Sequence, residues 1–173
     1  MKDAPTRHLW QRAAALAARM HHGQFRKDGR TPYFAHPVRV ALTIRTVFDV
    51  DDEVVLAAAL LHDVIEDTPA DYDDIEDACG SEVADLVAAM SKDMRVREDR
   101  REDAYFRQLA EASWKARLIK LADVYDNLID SHDERRRRRA LERAGQALQL
   151  AGDDPRLATA RRIVENLVAD LSE

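Results

Sequence analysis

The sequence predicts an all-α fold, a single-domain helical bundle, and three observations carry that expectation. Only five Gly and five Pro stand among 173 residues rich in Ala, Leu, Arg and Glu, which favours helix over sheet. Apolar residues recur at helical spacing from the start, at Leu9, Ala13, Leu16 and Met20. No stretch alternates apolar and polar residues at the strand period. The length suits one domain, and 46% apolar residues suffice for a core without disulfides.

Each element can be read in turn. Ala4 to His22 is a first helix, followed by a polar, turn-rich loop from Gly23 to Pro32. His36-Pro37 opens a second helix, because Pro suits the first helical position; it runs through Val40, Ala41 and Ile44 and stops before Asp49. Asp51 or Asp52 caps a third helix that continues from Val54 to Asp67, where Pro69 ends it. Short helices at Asp73–Cys79 and Ser81–Met90 are separated by Gly80. The densely charged Ser91–Asp103 reads as a mobile loop. Two helices surround the segment Leu118–Asp123, and two more, Glu134–Ala151 and Pro155–Leu171, close the chain.

Composition removes several function classes. A formal net charge of -6 argues against a broad attraction to nucleic acid, although a local basic patch remains open. Cys79 is the only cysteine, which excludes an internal disulfide and a cysteine-based zinc site. The N-terminus lacks the apolar core of a signal peptide. The longest apolar stretch, Val54 to Leu61, falls well short of the about 20 residues that cross a bilayer. The expectation is a soluble cytoplasmic protein with no nucleic-acid or membrane partner; the sequence specifies no oligomeric state.

The third helix ends in His62-Asp63 and then Glu66-Asp67, directly after an apolar run. On a continuous helix His62 stacks over Glu66 and Asp63 over Asp67. Three carboxylates and an imidazole at the end of a buried helix repel one another without a cation, so a divalent metal explains their coexistence. An exposed helix end is the alternative, and the local sequence does not decide between them. His36 lies just before a Pro at a helix start, where its side chain is held rigidly; an isolated histidine of this kind is more often structural than a ligand. Lys120, Asp123 and Asn127 share one helical face, and an acid there can simply pair with the lysine.

Taken together, His36, His62-Asp63 and Asp123 form the His…His-Asp…Asp ligand pattern of the HD superfamily, which makes the expected fold an HD-domain bundle. Two imidazoles and two carboxylates with open positions suit Mn²⁺ or Fe²⁺ better than a closed structural zinc. The segment His22 to Pro37 resembles the first hydrolase motif of the RelA/SpoT homologues. Ala59 to Thr68 resembles their second and third motifs almost letter for letter, and Ile119 to Asp123 with Asn127 resembles the fourth. Order and spacing match across roughly residues 5–132, with nothing resembling a synthetase or regulatory domain after them. The chain is therefore similar to the stand-alone small alarmone hydrolases typified by the metazoan SpoT homologues.

This resemblance implies hydrolysis of the 3′-pyrophosphate ester of (p)ppGpp to GDP or GTP and pyrophosphate. It implies that His36, His62, Asp63 and Asp123 hold one Mn²⁺, with Fe²⁺ or another divalent ion as the alternative. Glu66 and Asp67 would orient and deprotonate water. Arg26 and Lys27 would face the nucleotide, and Asn127 the ribose. The chain departs from the family pattern at Asp28, where a small Ser is usual, at Val124-Tyr125-Asp126, and at Leu128-Ile129-Asp130. These departures alter the expected substrate wall and keep open an HD phosphohydrolase for NADPH 2′-phosphate, 3′-phosphoadenosine compounds or nucleoside monophosphates. A non-catalytic nucleotide-sensing module is the reading from another class. The run Arg135–Arg139 reads as a solvated face, since five consecutive arginines point all around a helix and one or two at most can face any one site. Lys92–Arg101 reads as either a substrate-facing lid or a plain surface loop. His21 reads as structural, and Trp10 and Trp114 as packing residues.

Overall fold

The computed structural model describes residues 8–172, and among them it contains helices but no strand. Helix α1 spans Leu9–Met20; the start expected at Ala4 lies outside the described residues. The loop that follows is folded into a hairpin-like turn. Phe25 and Pro32 form an isolated antiparallel bridge, and Arg26 N donates to Thr31 O at 2.8 Å. Asp28 ties this loop to itself: its carboxylate accepts from the Arg30 and Thr31 amides, each at 2.9 Å, and from the Thr31 hydroxyl. The loop hands the chain to α2 (Ala35–Leu42), whose first turn contains His36 and Pro37. A π-helical turn, Thr43–Val47, prolongs α2 up to Phe48.

Helix α3 (Glu53–Leu61) is capped by Asp52, which accepts from the Val54 and Val55 amides, so Asp52 rather than Asp51 is the cap. The third helix was expected to run unbroken to Asp67. Instead it breaks at His62-Asp63 and resumes as the short α4 (Val64–Asp67). Asp63 has φ -101° and ψ -2°, at the edge of the α region toward the bridge region and away from regular helix values. Adjacent side chains on a straight helix diverge by about 100°. At this break His62 Nε2 and Asp63 Oδ2 approach to 3.0 Å.

Helices α5 (Tyr72–Cys79) and α6 (Ser81–Met90) meet at Gly80, whose φ of 89° lies in the region that favours glycine. Much of the supposed mobile loop is helical, because α7 spans Glu98–Glu111. Glu98 and Asp99 suit its N-terminal dipole, and Tyr105 and Leu109 give it an apolar stripe to bury. The remaining turn, Ser91–Arg97, is anchored by Gln108, whose Nε2 donates to the carbonyls of Ala88, Ala89 and Ser91. The segment Leu118–Asp123 does not lie between two helices but in the middle of one, α8 (Trp114–Ile129), since nothing in it breaks a helix. The chain closes with α9 (Glu134–Ala151), a 3₁₀ turn at Pro155–Leu157 and α10 (Ala158–Ser172).

Helix α8 packs against α2, α3, α6, α9 and α10, so the core gathers around it. Ile44, Leu61, Leu118, Ile119, Leu121 and Leu128 are almost wholly removed from water. His21 is buried and joined to Gln24, which fits a structural role. Trp114 packs against the core, whereas Trp10 is 44% exposed, so only Trp114 packs as expected. Leu118→Ala removes a fully buried side chain from the central helix and should lower unfolding free energy by about 2–5 kcal/mol in urea titrations. A loss below about 0.5 kcal/mol, the level of a surface change, would contradict the assigned centre of the core.

Candidate active site

Three chain segments deliver one cluster of four side chains. His36 comes from the first turn of α2, His62 and Asp63 from the α3–α4 break, and Asp123 from the middle of α8. One ligand atom each from His36, His62 and Asp123 lies within 4.8 Å of the others. His36 Nε2 is 3.3 Å from Asp123 Oδ1 and 3.6 Å from Asp63 Oδ2, and His62 Nε2 is 3.9 Å from Asp123 Oδ1. All four sequence-predicted ligands are therefore brought together.

The outer atoms of these groups are fixed by partners that aim the inner ones. His62 Nδ1 faces the Ala59 carbonyl at 2.8 Å, which fixes it as a donor, so once the imidazole is neutral Nε2 is the nitrogen that carries the lone pair. That Nε2 is buried and, among the described residues, has no well-aligned hydrogen-bond partner, although Asp63 Oδ2 lies 3.0 Å away. His36 Nδ1 faces Asp126 Oδ2 at 2.7 Å, and Arg39 holds the same carboxylate with Nε at 2.6 Å and Nη2 at 2.9 Å. The Tyr33 hydroxyl donates to Asp63 Oδ2 at 2.6 Å. Lys120 Nζ and Asn127 Nδ2 donate to the two oxygens of Asp123 at 2.8 and 2.6 Å. A buried imidazole nitrogen that lacks a well-aligned hydrogen bond and faces two carboxylates and a second imidazole completes a donor set that a divalent cation fits.

Electrostatics follow from this crowding. Burial alone would lower the His62 imidazole, but Asp63 and Asp123 outweigh it and hold its pKa at about 9. For His36, too, burial is outweighed, here by Asp123 and Asp126, and the pKa is raised. Burial would raise Asp63, yet His62 and His36 keep it ionised well below the usual carboxylate range. Asp123 is likewise lowered, with Lys120 the strongest force against its burial. Glu66 behaves oppositely: its burial raises its pKa, offset in part by Lys92, whose amide donates to Oε1 at 2.7 Å.

Around the cluster opens a cleft whose wall includes Arg26, Lys27, Tyr33, Glu66, Lys92, Tyr105, Lys120 and Asn127. Asp67 is exposed, and its backbone carbonyl accepts from Gln24 Nε2. The Arg26 guanidinium is committed to Asp130 Oδ2 at 2.7 Å and Asn127 Oδ1 at 3.1 Å, and lies 5.7 Å over the Tyr33 ring. Asn127 is thus occupied at both ends of its amide. Asp126 does not belong to the substrate wall where the sequence reading put it; it is buried behind His36. Sequence reasoning missed Tyr33, Tyr105 and Arg39, and placed Lys92 only within a segment read as either a substrate-facing lid or a plain surface loop. Tyr33 lay inside the first motif, but Lys92 and Arg39 reach the site only through contacts distant in sequence.

The HD domain family matches residues 13–149. The chain belongs to that family. Two relatives named guanosine-3′,5′-bis(diphosphate) 3′-pyrophosphohydrolase MESH1 match it. The Drosophila melanogaster protein is 42% identical over 115 residues, covering 66% of this chain and 64% of its own length. The Homo sapiens protein is 41% identical over 119 residues, covering 68% and 66%. The HD-domain chain thus spans just under two thirds of the MESH1 proteins. The bifunctional (p)ppGpp synthase/hydrolase SpoT of Escherichia coli K12 is 44% identical over 124 residues, 68% of this chain and 17% of SpoT. A solved structure described as a metazoan ortholog of SpoT that hydrolyses ppGpp superposes with a TM-score of 0.82 at 30% identity, over 96% of this chain and 97% of that one.

The raised histidine pKa values have a thermodynamic consequence for the metal-free HD domain. Protonated His62 stabilises the fold below its unfolded value near 6.5, and that contribution is lost as pH rises through about 9. The melting temperature of chelator-treated protein should fall from pH 6.5 to 9.5, and a divalent metal, which displaces these protons, should remove the decline. A flat metal-free profile over that window would contradict the charge state of the cluster.

Proposed function

We propose that the protein is a Mn²⁺-dependent phosphohydrolase that removes the 3′-pyrophosphate from guanosine 3′,5′-bis(diphosphate)-type alarmones, giving GDP or GTP and pyrophosphate. The observation that carries this reading is the meeting of His36, His62, Asp63 and Asp123 beside a half-buried Glu66, in a cleft also lined by Lys27, Lys92 and Lys120. The names of the MESH1 and SpoT relatives point to the same substrate. No helix among the described residues is long and apolar enough to cross a membrane, and the chain carries net charge -6. Both features support a cytoplasmic enzyme acting on a small nucleotide rather than on nucleic acid or membrane.

His36, His62, Asp63 and Asp123 would hold the cation, Mn²⁺ in preference to Fe²⁺. When bound, it supplies Lewis acidity toward phosphate and water. Glu66 is the general base in this reading. The Lys92 amide fixes Oε1, Oε2 has no partner among the described residues, and burial makes the carboxylate more basic than an exposed one. Asp67, exposed one residue on, would assist in orienting the attacking water. Lys92 and Lys120, which lie 5.3 and 5.6 Å from the Tyr105 ring centre, offer point charges to the phosphates. The Arg26 face receives the base, and Asn127 sets the angle of that guanidinium beside the ribose.

One observation favours a different nucleotide within the same chemistry. Asp130 neutralises Arg26 through two hydrogen bonds, which reduces the positive charge of the nucleotide wall. Purified protein with Mn²⁺ should convert ppGpp to GDP and pyrophosphate, followed by chromatography, faster than it turns over NADPH or 3′-phosphoadenosine compounds. Phosphate release from one of those instead would transfer the substrate assignment. Saturable nucleotide binding without any turnover would revive the sensing module.

Two variants check the assigned roles. Asp63→Ala should abolish metal binding and activity together. Glu66→Gln should retain the metal, measured by free Mn²⁺, and lose about 10²–10⁴-fold in kcat. A fully active Glu66→Gln protein would remove the glutamate from the mechanism.

A further inference from the structure

Beside the site described above lies a second cleft, continuous with the first because Arg26, Lys27, Asp123, Asn127 and Arg143 line both. Its outer wall is α9. Arg135, Arg136 and Arg139 of the arginine run line it, so three of the five face one cleft, more than helical geometry alone suggested. Arg137 and Arg138 do not line it, and Arg138 pairs instead with Glu142. The run is therefore divided between a solvated face and a concave one.

Charge in this cleft is unbalanced. Its acids already have partners: Asp28 accepts from Arg30 and Thr31, Asp123 from Lys120 and Asn127, Asp130 holds Arg26, and Asp133 caps α9 and pairs with Arg136 at 3.0 Å. Among the described residues, Lys27, Arg135, Arg139 and Arg143 have no ion-pair or hydrogen-bond partner for their charged ends. Lys27 registers this potential. Its ammonium is lowered first by partial burial and then by Arg143, Arg136, Arg26 and Arg139. Cations gathered without counter-ions in a concave wall repel one another unless an anion occupies the space between them.

We propose that this cleft is a polyphosphate subsite. Resting on the reading of the first cleft as the 3′-pyrophosphate site, it takes the phosphates at the 5′ end of the same nucleotide. A guanosine carrying phosphates on both sides of the ribose has two polyanionic arms. One arm reaches the metal-ligand cluster, and the other passes the shared Lys27 and Asn127 wall and ends among Arg135, Arg139 and Arg143. Guanidinium groups suit this task because each offers paired donors to phosphate oxygens. The subsite makes the 5′ phosphate count a determinant of specificity.

The test compares guanosine 3′-diphosphates bearing a 5′-triphosphate, 5′-diphosphate or 5′-hydroxyl. Wild-type protein should prefer the 5′-triphosphate in kcat/KM. An Arg135→Gln/Arg139→Gln variant should reduce that preference by about 10- to 100-fold, as expected for two charge-assisted contacts. Glutamine preserves helix propensity, and Arg137→Gln/Arg138→Gln removes the same charge from the other face and should keep the preference. An equal fall in both variants, or none in either, overturns the subsite. If wild-type protein hydrolyses none of the three, the substrate reading falls, and calorimetry with inorganic triphosphate on the Mn²⁺-loaded protein decides the cleft alone. Binding weakened tenfold or more only in Arg135→Gln/Arg139→Gln upholds the subsite, and equal binding in both variants refutes it.

Discussion

Two imidazoles and two carboxylates packed inside a helical core constrain everything around them. Each buried ion costs several kcal/mol of lost hydration, so the fold has to supply partners on every outward-facing atom. It does so from separate elements. Ala59 in α3 faces His62, Tyr33 in the hairpin-like loop donates to Asp63, and Lys120 and Asn127 in α8 grip Asp123. Behind His36 stands Asp126, itself neutralised by Arg39. The packing of α2 and α3 against α8 thus serves an electrostatic end as much as a hydrophobic one.

The break between α3 and α4 is the local device that makes the cluster possible. A regular helix would send neighbouring side chains to different faces. Departure from helical geometry at Asp63 lets His62 and Asp63 serve one centre, while Asp67 N to Asp63 O at 2.9 Å restores the ladder at once. Glu66 then follows within the short α4, close enough to share the cleft yet outside the ion-paired group.

Much of this was legible in the sequence because the signals are local. Caps such as Asp52, the Gly80 break and the spacing of apolar residues are properties of a few neighbouring positions, and the helices they predict are present. The four expected ligand residues were reached through the His…His-Asp…Asp pattern taken whole, since His36 and Asp123 alone carry no such signal. What stayed hidden depends on contacts between distant parts of the chain. Asp126 looked like an added negative charge on the substrate wall, since nothing local reveals that it meets His36 ninety positions earlier. The way Asp28 and Asp130 alter the wall was hidden for a related reason: each is tied to a partner, Thr31 or Arg26, that sequence alone does not assign. The charge of Ser91–Asp103 masked α7, whose apolar stripe is confined to a few residues such as Tyr105 and Leu109.

The turn after α6 shows how a site can be strict in shape while remaining lenient in sequence. Glu66 is held there by a main-chain N–H, that of Lys92, and every amino acid except proline provides the same donor. Side-chain identity at position 92 is accordingly free to drift as far as this contact is concerned, whereas the path of the backbone is not. That path is secured from the far side by Gln108, whose single amide nitrogen faces the carbonyls of Ala88 and Ala89 at the end of α6 and of Ser91 in the turn. A position remote from the chemistry therefore carries more of the geometric information than the residue that makes the contact.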